Sequence, residues 1–333
     1  MVKNDPLIQG VLINKIKSTL PANISLADEL ADLLEISSDS AYRRIRGETA
    51  FTIHEIATIC EHFKFSFDSL MPLQQGLVNF NYNEVNTYSD YFRYLTEIRD
   101  ELARFIRIPE RHITYAAVDV PVFHYFASPE YLHFKMFYWL RSVAIDPEYA
   151  GKKFAVSDIN EELIGICREL ADLYAAIDST EIWSESILSS MLKQVIYYWQ
   201  TGVFASREDA LHLVDSVKKT IQKVQRESEM NMKLRSDGLT HDLTANFQLY
   251  SSDIEIGNNF ILVCLGQMKI LYMSFHTFNK MFTTNQSFNK LTEKWMSNLI
   301  RQANLISGVG EKQRFRFFQT LYNQLDDLAL TIQ

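Results

Sequence analysis

Through the first seventy residues, apolar positions recur every three or four places, the spacing that lines one face of a helix. LIQGVLINKIKSTL carries this pattern and is expected to stop at Pro21. Ser25, with Asp28 three residues on, opens a second helix, SLADELADLLE, whose Leu26, Leu30, Leu33 and Leu34 share a face. A short turn, Glu35-Ile36-Ser37, precedes SDSAYRRIR, and Gly47 is placed to end that helix. Thr52 and Glu55 have the spacing of a capping box for IHEIATICEHF. Each segment is too short to be a stable helix alone, so the set must pack together.

The pattern changes beyond Met71-Pro72. Val78, Phe80 and Tyr82 alternate with asparagines in VNFNYN, the period of a half-buried strand. A long helix, SDYFRYLTEIRDELARFI, and a strand-like ITYAAVDV follow, then Ser128 and Pro129 as N-cap and first residue of YLHFKMFYWLRSV. Residues 157–235 look entirely helical. NFQLY, NFILVC and KILYMSF are three expected strands, the last two joined by a Leu-Gly-Gln turn, and two helices near 286–306 and 311–330 close the chain. The expected fold is mainly α with a smaller β component. An all-α domain over residues 1–75 precedes a larger α+β domain over 76–333.

Composition and charge narrow the function. With 333 residues, 47% of them hydrophobic, the chain can bury a substantial core. The formal net charge is −8, so a polyanion meets no attraction from the molecule as a whole. Even residues 1–75 hold seven Lys and Arg against ten Asp and Glu, so contact with nucleic acid requires a local basic patch. Cys60, Cys167 and Cys264 form no CxxC or Cys/His cluster, which points to buried thiols in a reducing compartment and to a cytoplasmic protein without a bound metal. The opening residues lack an apolar core and are not expected to be a signal peptide, and no stretch has the length of a membrane span.

The segment ISLADELADLLEISSDSAYRRIRGETAFTIHEIATICEHFKFSFDSLM resembles the XRE-type, lambda-repressor-like helix-turn-helix family. The resemblance rests on Leu30-Ala31, on Ile36 in the turn, on the helix Ser38–Ile45 with Gly47 after it, and on the Phe67-to-Leu70 ending of the fourth helix. It implies a helix lying in the major groove of double-stranded DNA. That helix offers Ser38, Asp39, Ser40, Tyr42, Arg43, Arg44 and Arg46 as the DNA-binding set. Arginine can grip guanine O6 and N7 bidentately, and three arginines supply the patch that net charge does not. The family often has glycine where Glu35 stands and an apolar residue where Arg44 stands. A register shifted by one, with Tyr42 and Ile45 facing the core, meets the second requirement. A single module of this size binds DNA weakly, so a homodimer spanning two half-sites about 34 Å apart is expected.

Elsewhere the residues carry less chemistry. PVFHYFASPEYLHFKMFYWL is expected as buried core, although Phe123, Tyr125, Phe126 and Tyr131 are the residues to border any pocket. His124 and His133 lack a metal-ligand pattern. KKTIQKVQRESEMNMKLR reads as a solvated face, and SGVGEKQRFRFF as a connector between helices and not a phosphate loop. No nucleophile, metal or paired-carboxylate motif appears, so no catalysis and no cofactor are expected. The expectation is a sequence-specific transcriptional regulator whose second domain pairs subunits and takes a small-molecule or peptide effector. A protein-interaction adaptor and an enzyme fused to a helix-turn-helix are the alternatives.

Overall fold

The computed structural model describes residues 6–20, 24–63, 65–70, 76–237, 245–276 and 279–332. The stop at Pro21 and the boundary at Met71-Pro72 lie outside them. The chain divides into two compact units, Met1–Asn79 and Phe80–Gln333.

The first unit is helical: α1 (Pro6–Thr19), α2 (Leu26–Leu34), α3 (Ser38–Ile45) and α4 (Ile53–His62), followed by a 3-10 turn over Phe67–Leu70. Leu12, Ile13 and Ile16 of α1 close over Leu30, Ala31, Ala41, Phe51, Ile59 and Leu70 in one core. Caps set the boundaries. Ser25 accepts the Asp28 N–H, and Thr52 and Glu55 form the full capping box. Gly47 follows α3 at φ +76°, and Glu35 ends α2 in the same left-handed region, at φ 52° and ψ 43°. An L side chain there costs about 1–2 kcal/mol that glycine avoids, while glycine adds entropy to the unfolded chain. Glu35→Gly is therefore expected to stabilise this unit by about 0.5–1 kcal/mol, read from urea denaturation of the full chain. A lower unfolding midpoint would show that the Glu35 side chain contributes more than its backbone conformation costs.

Among its described residues the second unit is built on an eight-stranded mixed sheet. Its strands are β1 (Asn81–Tyr82), β2 (Arg111–Ala116), β3 (Asp178–Trp183), β4 (Phe247–Ser251), β5 (Phe260–Leu265), β6 (Met268–Phe275), β7 (Asn279–Thr283) and β8 (Asn304–Leu305). The spatial order is β1-β7-β6-β5-β2-β3-β4-β8, with β2, β3 and β4 mutually parallel and every other pair antiparallel. Its helices are α5 (Tyr88–Phe105), α6 (Val122–Tyr125), α7 (Pro129–Tyr138), α8 (Glu161–Ala175), α9 (Ser189–Gln200), α10 (Arg207–Met230), α11 (Gln286–Gln302) and α12 (Glu311–Thr331). Strand alternation sorts the two faces. Ile113, Tyr115, Trp183, Phe247, Leu249 and Val263 pack on one side with α5 to α10 and α12, while Ala116, Ile182 and Leu262 pack on the other with Met296 and Leu299 of α11.

Several expectations are corrected. The span 157–235 is not all helical: β3 crosses it as a central strand. DSTEIW hides its identity because Ser179, Thr180 and Glu181 are polar yet buried, so neither alternation nor an apolar run marks the segment. VNFNYN supplies only the two-residue edge strand β1, whose Tyr82 is exposed. The three strands read near the C-terminus are present as β4, β5 and β6, with β5 and β6 paired as a hairpin and β4 between β3 and β8. The penultimate helix ends at Gln302, before the glycines, and β8 intervenes. The end of α10 is not a solvated face, since Ile221, Val224, Glu227 and Ser228 are buried there. The aromatic stretch is core as expected: Phe123, Tyr125, Phe126, Tyr131, Phe134 and Phe137 are all buried. Cys167 is buried, whereas Cys60 and Cys264 are half-buried. Among the described residues no helix is long and apolar enough to cross a membrane.

Candidate functional site

The turn between α2 and α3 has the geometry of a helix-turn-helix. Ala31 and Ala41 are both buried, and having no side chain beyond Cβ they let the two helices approach closely. Ile36 packs half-buried against the same core while its N–H bonds the Ala31 carbonyl at 3.0 Å. Ser37 caps α3 by accepting the Ser40 N–H. On the far side, Gln9 of α1 donates to the carbonyls of Arg44 and Thr49, both at 2.8 Å, and so ties down the end of α3. The helix is held at both termini and along its inner face.

Its outer face carries Ser38, Asp39, Tyr42 and Arg43, and Arg46 follows on the same side as the C-cap, all exposed. Ser40 is half-buried and its hydroxyl accepts from that of Ser37. Arg44 departs from the expected set. Its Nη2 donates to Glu55 Oε1 at 2.7 Å and its Nε to Oε2 at 3.3 Å, with both side chains only 15% exposed. The position where the family places an apolar residue is thus filled by an inward ion pair that joins α3 to the capping box of α4. Burial opposes ionisation of Glu55, but the Thr52 N–H and Arg44 outweigh it and hold the carboxyl below its usual range. The shifted register is half right: Ile45 packs on the core, but Tyr42 faces out at 48% exposure.

The basic patch therefore consists of Arg43 and Arg46, and an acid sits on it. Glu48 accepts from Arg46 Nε at 2.7 Å and Nη2 at 3.1 Å, and lies 3.9 Å from Arg43. The Arg46 hydrogen bond keeps the Glu48 carboxyl below its usual range. All three side chains are about half exposed, so the pairing is weak and readily exchanged for another anion.

The second unit contains a polar cluster that the sequence did not disclose. Glu181 is fully buried on the helix-facing side of β3, where it accepts from the Tyr174 hydroxyl at 2.5 Å and from Trp183 Nε1 at 2.8 Å. His124 Nε2 lies 3.0 and 2.9 Å from its two oxygens, so that nitrogen carries the proton. Burial pushes the Glu181 pKa up, but His124, Tyr174 and Lys233 together outweigh it and the carboxyl stays below its usual range. Glu227 approaches His124 Nδ1 at 3.9 Å and accepts from the Leu234 N–H at 2.7 Å and from Lys223. Lys233, also buried, donates to the carbonyls of Tyr174 and Ile177 and sits 3.2 Å from the Tyr174 ring centre. Burial lowers its pKa to about 7 against the pull of Glu181 and Glu227. These residues come from β3, α6, α8, α10 and the segment after α10, so no local spacing links them. Glu227 Oε2 is buried without a hydrogen-bond partner, but the bonds around Glu181 and Lys233 tie β3 to α6 and α8, and a buried network of this kind fixes how helices sit on a sheet.

No curated protein and no solved structure matches the chain. Residues 11–83, which span the helix-turn-helix geometry described above, match the BetR domain, a helix-turn-helix-like DNA-binding domain family.

Proposed function

We propose that the chain is a cytoplasmic, sequence-specific transcriptional regulator of XRE-like layout. It binds double-stranded DNA as a homodimer through α3 of each copy, and its second unit pairs the subunits and takes an effector without catalysing a reaction. One observation carries the reading: a match to a DNA-binding family coincides with a capped, anchored helix whose exposed face holds Tyr42, Arg43 and Arg46. Arginine on such a helix suits guanine edges and phosphates alike. The acidic balance of the chain supports the need for two modules, since one offers only two exposed arginines.

The test is selection of DNA fragments by the purified full-length protein, with its mass in solution measured alongside. The expected result is a dimer and a two-fold symmetric site with half-sites about 34 Å apart. A monomer on a single unrepeated site would overturn the dimer. Absence of any salt-sensitive DNA binding would overturn the DNA reading and leave a protein-contacting role for α3.

A further inference from the structure

Protein cores rarely keep voids larger than a water molecule. The second unit keeps a cavity of about 110 Å³ between the helix-facing side of the sheet and helices α5, α6 and α7. An apolar cavity of about 150 Å³ takes up benzene, so a single ring is the largest group that this smaller space admits, with some widening of its walls. The walls here are largely aromatic, with Tyr94, Phe105, Tyr115, Phe123, Tyr125 and Trp139 among them, and Ile261 and Val263 form the floor. Of the four residues expected beside a pocket, Phe123 and Tyr125 line it, while Phe126 and Tyr131 belong to the surrounding core. An open cleft lined by Ser186, Ser189, Ser190 and Lys193 lies next to the cavity and shares Tyr138 and Gln194 with it.

The polar groups in the wall define what would fit. Lys135 pairs with Asp119 at 2.7 Å and also donates to Gln194 at 3.2 Å. Lys280 pairs with Glu101 at 2.9 Å. The titratable groups of opposite sign thus cancel two against two, and a charged ligand would add an unbalanced ion to a largely apolar space. An ammonium group has three N–H donors. Among the described residues Glu101 is the one hydrogen-bond acceptor for Lys280, so donors remain for a ligand oxygen.

We infer that this cavity is a binding site for an uncharged single-ring aromatic molecule bearing a hydrogen-bond acceptor such as a carbonyl. The ring stacks among the aromatic walls, and the acceptor meets the ammonium of Lys280. This deepens the effector part of the proposed function and rests on that reading for its regulatory meaning. The site itself is tested without DNA, so its failure is distinct from failure of the DNA reading.

The experiment is calorimetric titration of the full-length chain with benzamide, benzoate, benzamidine and toluene, which share a ring and differ in charge and acceptor. Benzamide is expected to bind saturably, one per chain. Benzoate and benzamidine are expected to bind at least about tenfold more weakly because of their charge, and toluene about tenfold more weakly because it offers no acceptor to the remaining ammonium N–H groups. Glu101→Gln leaves one positive charge in excess and should move benzoate ahead of benzamide. Val263→Phe fills the cavity and should abolish uptake of all four; Ile261→Phe serves if that variant fails to fold. The inference is overturned if benzamide shows no saturable binding, or if either charged probe binds the unaltered chain as tightly. It is equally overturned if Glu101→Gln leaves the order unchanged, or if uptake survives filling of the cavity.

Discussion

Replacing Arg43 and Arg46 together with alanine is expected to weaken DNA binding by at least about 1000-fold at physiological salt, since a dimer loses four contacts at about 1–3 kcal/mol each. Both residues are exposed on the outer face of α3, so the fold should keep its stability within about 0.5 kcal/mol. Plots of log affinity against log salt should flatten by about one unit for each phosphate contact removed. Arg44→Ala should behave in the opposite way. It strips the two-pronged contact from Glu55 and so is expected to cost about 1–3 kcal/mol of stability, with DNA affecting the result only through the fold. Glu48→Gln is the third arm. Glu48 lies on both outward arginines, and removing its charge should tighten binding severalfold. Unchanged affinity and salt slope in the double variant would remove this face of α3 from the proposed interface.

Glu181→Ala is expected to destabilise the second unit by about 3–5 kcal/mol, the cost of breaking a buried ionic group and leaving its partners unpaired. Three donors would lose their acceptor at once: His124 Nε2, the Tyr174 hydroxyl and Trp183 Nε1. Glu181→Gln keeps the shape but swaps an acceptor for a donor, so it should cost less, about 1–3 kcal/mol. The sign of the pH dependence follows from the lowered carboxyl pKa. Folded Glu181 holds its charge more strongly than the unfolded chain does, so its contribution is complete above the ordinary carboxylate range. That contribution is lost as pH falls through the depressed folded value. The stability gap between the unaltered chain and Glu181→Gln should shrink below about 4.5. Lys233 acts at higher pH. Its folded pKa of about 7 is below the unfolded value, so the native state binds fewer protons between there and the ordinary lysine range, and stability should rise with pH across that interval. Chemical denaturation of the full chain at stepped pH reads both windows. A cost for Glu181→Ala under about 1 kcal/mol, or a gap independent of pH, would show that the cluster is not what orders this core.

The helices of the first unit are legible in the chain alone, because their signals are local. The Ser25 cap, the Thr52–Glu55 box and the leucine face of α2 act within a few residues of where they are read. The β5–β6 hairpin was legible for the same reason, with a two-residue turn holding Gly266 at φ +56° between apolar strands. The aromatic core of α6 and α7 followed from apolar character all round the helix. Tertiary structure decided what depends on partners distant in the chain. Whether Arg44 faces DNA or the interior turns on Glu55, which reaches back from the next helix. That β3 is a central strand turns on His124, Tyr174 and Trp183, which satisfy a glutamate that would otherwise forbid burial. A hydrophobic pattern records the apolar share of a core but not its paired charges, since a buried ion is tolerated only where a partner far along the chain meets it.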